Sequence, residues 1–287
     1  MAQKLINLQS SSYEHPVDRA ALKALDKALG VTSVADLLNK PILQWNIVQL
    51  CGSNFHVTKK SCPELYQLIQ DAAETLDIDS MPEIYTQWSY GVNAGTLGYK
   101  NNTIIILCTG AVDLLPEPEL TFVVGHELGH IKSNHVRYLT LGQNLSKLSM
   151  TVRGLYSAWN RKSEFTADRA GLLACQDLNA ALSAIMKLAG IPKRYFNITD
   201  PQLFAEQAEE FMSQYGGTFD SLIKTLSIFD DNHPWTVMRA YELVKWVESG
   251  EYQKILDSTK GKYCPIHKGY VDESLDVCPI DGYRFEN

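Results

Sequence analysis

The chain has 287 residues, 45% of them apolar and 21% charged, with a formal net charge of −7. This excludes a wholly disordered chain and leaves room for one or two domains with a sizeable core. The acidic balance argues against a generic nucleic-acid binder, which needs a basic footprint. No apolar run reaches the roughly 18 to 20 residues that span a bilayer, and the N-terminus lacks a charged and then apolar leader. The expected setting is soluble and cytoplasmic.

Residues 1 to about 15 read as a loose tail. From Pro16 the pattern turns helical, with Leu22, Leu25 and Leu29 and then Val34, Leu37 and Leu38 at helical spacing, broken at Gly30. A short strand or loop over 52–60 precedes a helix over 63–76. Strands are expected over 81–90 and 102–109, with a stretch rich in Gly and Asn between them. Pro116 and Pro118 open a strong helix over 117–138, with acids in its first turn. Leu141, Leu145, Leu148, Val152, Leu155 and Trp159 then form an amphipathic seam. Further helices are expected over 165–177, 178–189 and 235–247. The last residues change character, so a boundary falls near 260. The division expected is an N-terminal helical segment (1–50), a main domain (51–258) and a C-terminal tail (259–287). The fold class is α+β: a mostly helical body with a small β-sheet. Cys51, Cys62, Cys108 and Cys175 read as buried, reduced thiols.

The informative phrase is His126-Glu127-Leu128-Gly129-His130. On a helix, positions i and i+4 share a face, so both imidazoles reach one zinc ion. Glu127 lies beside them as a general base for an attacking water. A third ligand of the metzincin pattern is excluded, because Ser133 and Val136 occupy the positions of its Gly and His. His135 is one residue off and is expected on the surface or behind the ligands. The third ligand is expected from the phrase Glu164-Phe165-Thr166-Ala167-Asp168. Glu164 is the candidate ligand. Asp168, one turn on, is placed to accept the second ring N–H of a ligand histidine. The apolar, small-residue text after it marks a buried helix, where a carboxylate pair without a cation is costly.

HELGH, then SEFTADRAG, then His233-Pro234 followed by Arg239 resemble the M48 family of zinc metallopeptidases, which includes CAAX-processing and HtpX-type membrane proteases. The resemblance covers roughly residues 50 to 250. It implies a zincin-type domain with a sheet beside the HExxH helix, His126, His130 and Glu164 as zinc ligands, and Glu127 as the base. It also implies that His233 faces the developing oxyanion with Arg239 supporting it, and that Asn93, Ala94 and Gly95 lie on an edge strand that pairs with substrate. The membrane members' transmembrane spans are not found here, including any between the HExxH helix and the Glu164 helix, which argues against integral-membrane prenyl-protein processing.

Two features lie outside that pattern. From Leu128 to Ser163 there is no Asp or Glu, while Lys132, Arg137, Lys147, Arg153, Arg161 and Lys162 all fall there. This is either a solvated basic face or a contact surface, for acidic substrate or peripherally for anionic membrane. Near the C-terminus, Cys264-Pro265-Ile266-His267 and Cys278-Pro279-Ile280-Asp281 repeat like a degenerate zinc ribbon. Cys264, His267, Cys278 and Asp281 are candidate ligands of a second, structural ion. The rivals are a metal-free pair of tight turns and, third, a disulfide. Together these readings point to a zinc endopeptidase acting on protein or peptide. A non-catalytic adaptor on the same fold and a peptidase restricted to short peptides are the alternatives.

Overall fold

The computed structural model describes residues 2–29, 44–99, 102–142, 149–215, 235–267 and 269–285. In chain order its elements are α1 (Ser10–Tyr13), α2 (Pro16–Leu29), α3 over residues 44–53, β1 (Phe55–Val57), α4 (Pro63–Thr75), β2 (Glu83–Gln87), β3 (Ala94–Tyr99), β4 (Asn102–Cys108) and α5 (Thr109–Leu114). There follow α6 (Glu117–Lys132), α7 (Val136–Gly142), α8 (Met150–Cys175), α9 (Leu178–Leu188), α10 (Gln202–Tyr215), α11 (Thr236–Glu248), α12 (Glu251–Ser258), β5 (Gly261–Cys264) and β6 (Gly269–Asp272).

Small residues set the centre of the molecule. Helix α6 is buried on nearly every side from Phe122 to His130, and α8 from Ser163 to Ala174. The two pack through glycine and alanine. A Cβ on Gly125 would collide with the Ala174 methyl, and one on Gly129 would stand 2.5 Å from the Ala170 Cβ. Gly171 in turn faces the Phe122 carbonyl. With no side chain between them, the helix backbones approach closely enough for short side chains on each to meet. A larger residue at Gly129 would push the helices apart, because a packed interior has no room for added volume.

The sheet is mixed, in the order β1-β2-β4-β3. Strand β4 is central, parallel to β2 and antiparallel to β3, and its Ile104, Ile105 and Leu107 are buried. Strand β3 takes an outer position, antiparallel to β4 from Ala94↔Leu107 to Tyr99↔Asn102. The strand expected over 81–90 is shorter. After Gln87 the chain leaves the sheet, and Ser89 is tied to α5 by its N–H to Thr109 Oγ1 at 3.1 Å and by its carbonyl, which accepts from the Gly110 N–H at 2.7 Å.

Two other expectations change. The helix expected over 117–138 is split, because Asn134 adopts the left-handed conformation with φ +57°. The Asn134 N–H bonds to the Ile131 carbonyl and the His135 N–H returns to the His130 carbonyl at 2.9 Å. That pair of bonds is a Schellman ending, which Asn tolerates better than most residues. Residues 2–15 are not loose. Leu5, Leu8 and Tyr13 are fully buried in the main core, Leu5 N–H bonds to the Thr75 carbonyl, and Ile6 N–H bonds to that of Thr259. The apolar spacing there is too short to announce a helix, yet each apolar residue has a site in the core. The seam finds its partner here as well. Val152, Leu155 and Trp159 pack with Ala21, Leu22 and Leu25 of α2 in a second core, while Leu145 and Leu148 lie outside the described residues. All six cysteines are free thiols, but of the four scattered ones only Cys108 is buried. The charged Glu119 and Lys187 are also buried, paired at 2.6 Å, with Ser183 donating to the same carboxylate.

Candidate metal centre

The approach of α6 to α8 brings three donor groups together. His126 Nε2 lies 3.4 Å from Glu164 Oε2, His130 Nε2 lies 3.3 Å from Glu164 Oε1, and the two imidazole nitrogens are 3.2 Å apart. All three residues are buried. Two imidazoles and a carboxylate facing a common point are a donor set suited to zinc, and three protein ligands are the number that leaves a coordination position for substrate. The cluster is also poorly stable as bare polar groups, since buried carboxylate and imidazole need a counter-charge. Among the described residues a second group of this kind occurs in the tail.

Charge at the site is organised around Asp168. Its Oδ1 lies 2.9 Å from His126 Nδ1, on the side of the ring away from the ligand nitrogen. Arg239, from α11, grips Asp168 through Nε at 2.8 Å and Nη2 at 2.5 Å. Its Nη1 stands 4.0 Å from Glu164 Oε2. Burial would raise the Asp168 carboxyl, but the Arg239 guanidinium and the His126 ring hold it below the usual carboxylate value. Burial alone would lower His126, but hydrogen bonds to Asp168 and Glu164 carry it up to about 10. Burial pushes His130 below the ordinary imidazole value.

Glu127 is buried beside the cluster, and its Oε2 accepts a bond from the Thr96 hydroxyl at 2.5 Å. Thr96 sits on β3, so the outer strand and the base are physically linked. Ala94 and Gly95 lie on the same strand and Asn93 immediately precedes it; the Asn93 carbonyl accepts from the Cys108 N–H at 3.0 Å. His233 lies outside the described residues. His135 is 1% exposed, so the surface alternative is excluded, and its Nδ1 lies 3.0 Å from His130 Nδ1. Thr96, which follows the Asn93-Ala94-Gly95 phrase, Asp18, and Trp159, the last residue of the amphipathic seam, also enter the site or its surroundings. The sequence gives none of them a role there, because packing alone supplies their partners.

The basic stretch divides in space. Lys132 donates to the Asp77 backbone carbonyl at 2.5 Å, Arg137, Arg161 and Lys162 are half-buried, and Arg153 is exposed. Lys147 lies outside the described residues. Among the described residues no helix is long and apolar enough to cross a membrane.

In the tail, β5 and β6 form an antiparallel hairpin. Cys264 and Cys278 are almost fully buried with Val271, and Tyr283 and Phe285 pack on them. Four donors converge: Cys264 Sγ lies 3.2 Å from Asp281 Oδ2, His267 Nδ1 lies 3.1 Å from the same oxygen, and Cys278 Sγ lies 3.3 Å from His267 Nδ1. Two thiols, an imidazole and a carboxylate within 4.8 Å of one another fit a closed structural site. Fully loaded, reduced protein is therefore expected to hold two zinc ions per chain by metal analysis. A Cys264→Ser, Cys278→Ser variant should hold one, with peptide hydrolysis retained. A single zinc in the wild type would mark the tail as metal-free.

The model of Peptidase family M48 matches residues 59–157 and 143–247 of this chain. The Arabidopsis thaliana protein described as plastoglobule-localized metallopeptidase 48, chloroplastic, is 29% identical over 269 residues, spanning 89% of this chain and 78% of that protein. A protease HtpX homolog of Ralstonia pickettii is 24% identical over 68% of this chain and 78% of its own length. One from Streptococcus gordonii is 33% identical, but over 31% of this chain and 30% of its own length.

Proposed function

The chain belongs to peptidase family M48, and from that premise we propose that it is a zinc endopeptidase that takes an extended stretch of a protein substrate along β3 and cleaves it at the His126, His130, Glu164 centre. The observation that carries the reading is the placement of Glu127 beside that donor triad, tied by Thr96 to the outer strand.

His126, His130 and Glu164 would hold a zinc ion, which when bound would supply Lewis acidity at the scissile carbonyl and the attacking water. The protein's own groups do the rest. Glu127 takes the proton from the water and hands it to the leaving amine. Thr96 donates to one oxygen of Glu127 and so fixes which oxygen turns to the water. Asp168 orients His126 through its Nδ1–H, and Arg239 keeps Asp168 ionised and aimed. Strand β3 offers its outer backbone to the substrate, with Asn93, Ala94 and Gly95 at the entry end, where little side-chain bulk opposes a close approach. Trp88 and Tyr90 project just before this segment, both largely exposed, with ring centroids 5.0 Å apart. They offer an apolar surface to substrate side chains next to those paired with β3. His233 is assigned the role of oxyanion donor on the family pattern.

The test is cleavage of a peptide library by zinc-loaded protein, with and without a zinc chelator. Chelator-sensitive internal cleavage of extended peptides supports the reading. Cleavage of short peptides alone favours the restricted peptidase, and a zinc-loaded protein with no hydrolysis favours the adaptor. We place the protein in the cytoplasm, at the periphery of a membrane, with Arg153 and the neighbouring cations of 128–163 as the contact. Binding to liposomes should then require anionic headgroups and weaken with salt. Equal binding to neutral liposomes, or none to either kind, would remove the membrane from the proposal.

A further inference from the structure

His126 and His130 are supported differently. The Nδ1 of His126 meets a carboxylate directly, that of Asp168. The Nδ1 of His130 meets a second imidazole, His135, at 3.0 Å. The far nitrogen of His135, Nε2, lies 3.1 Å from Asp18 Oδ2. Asp18 belongs to α2, is wholly buried, and accepts from Trp159 Nε1 at 3.0 Å and from the Thr166 hydroxyl at 2.6 Å.

The directions of these bonds follow from ligation. A histidine that binds metal through Nε2 keeps its ring proton on Nδ1. His130 Nδ1 must then donate, so His135 Nδ1 accepts and His135 carries its proton on Nε2. That nitrogen donates to Asp18, a carboxylate that can only accept. The chain has one consistent sense and ends on a negative charge. Burial would raise the Asp18 carboxyl, but the bonds from His135 and Thr166 hold it below its ordinary value, so the charge is present. The geometry is built by the Schellman ending of α6, which turns His135 back against the His130 ring, with centroids 5.2 Å apart.

We propose that Asp18 and His135 are positioning residues for the catalytic zinc, so that the N-terminal helix α2 supplies the outermost support of the ligand His130. Asp18 precedes the segment that the family model matches, which begins at residue 59. The inference rests on the proposed ligation of zinc through His130 Nε2. It goes beyond that reading by making the metal site depend on a residue of α2 and on one in the turn between α6 and α7. The two zinc histidines then each end on a buried carboxylate, one directly and one through an intervening ring.

Asp18→Asn is the informative variant. Asn keeps the shape and an oxygen acceptor for His135 but removes the charge. Zinc affinity is measured by chelator competition on the full chain, following the zinc equivalent that Glu164→Ala removes. Asp18→Asn should weaken that affinity about 10- to 100-fold, as the loss of outer supports does. The Asn amide group faces the Trp159 N–H, so some fall in the urea midpoint of the zinc-free protein is expected, and the affinity is read on samples that remain folded. Unchanged affinity in Asp18→Asn overturns the proposal while leaving the metal site intact. If wild type itself holds no zinc that Glu164→Ala removes, the reading of the site fails instead. Should Asp18→Asn fail to fold, the wild type decides. Magnetic resonance of isotope-labelled histidine in the zinc-loaded protein should show His130 protonated on Nδ1 and His135 on Nε2. A His135 protonated on Nδ1 would break the chain of donors and overturn the proposal.

Discussion

Glu127→Gln should reduce peptide hydrolysis by about 100- to 10,000-fold, the range that a positioned general base supplies, while zinc content stays at the wild-type level. The ligands are untouched, because His126, His130 and Glu164 present their donor atoms independently of the Glu127 carboxylate. Gln is close to Glu in size and its amide oxygen still accepts the Thr96 hydroxyl bond. What it loses is the ability to take a proton from water. The loss should therefore fall on kcat and kcat/KM alike, since the docking proposed along β3 does not use the carboxylate. The measurement is steady-state hydrolysis of a peptide found in the library screen, paired with metal analysis of the same preparation. Substantial activity in a pure sample would remove Glu127 from the role of base. Loss of zinc along with activity would instead make Glu127 part of the metal site's support.

Glu164→Ala is expected to lose both zinc and activity. Two histidines on one helix leave the ion without its anionic ligand and without the only one of the three that comes from α8. The fall in zinc affinity should exceed the ~10- to 100-fold typical for losing an outer hydrogen bond. Glu164 also lies between both ligand imidazoles and near Arg239, so its removal leaves buried positive charge less well compensated. For that reason Glu164→Gln belongs beside it. Gln preserves volume and a neutral oxygen, so it separates loss of the ligand charge from loss of packing. Competition with a chromogenic chelator reads the affinity, and chemical denaturation of the zinc-free protein reads the fold. If Glu164→Ala held zinc as tightly as wild type in a folded protein, the third ligand would have to come from elsewhere. The ordering expected is wild type, then Glu164→Gln, then Glu164→Ala.

Much of this centre was legible in the linear text because helical periodicity is a local property. His126 and His130 one turn apart must share a face of α6, and Glu164 and Asp168 must share a face of α8, whatever the rest of the chain does. The small residues around both motifs, Gly125, Gly129, Ala167, Ala170 and Gly171, likewise announce helices that pack closely. The ligand set and the base follow from that local geometry and the chemistry of imidazole and carboxylate. The repeated Cys-Pro-Ile phrases in the tail worked in the same way, since their spacing is short enough for two turns to bring four donors together.

Tertiary structure decided what depends on residues far apart in the chain. Thr96 reaches Glu127 because β3 lies along α6, and although it follows the Asn93-Ala94-Gly95 phrase, nothing in that phrase says that its hydroxyl meets the Glu127 carboxylate. His135 looked one residue out of register on a continuing helix. The left-handed Asn134 ended that helix and turned His135 inward. The first residues read as a loose tail, yet their apolar side chains fill the core, and Asp18 just beyond them is buried behind the metal site. Helix periodicity reports which face of an element is apolar. It does not report which other element covers that face, because that choice is made by shape and volume across the whole chain. A lone polar residue acquires its partner only through that choice. The sequence by itself therefore determined the ligands, the base and their helices. The packing of α2, β3 and α8 around α6 decided what holds those groups in place.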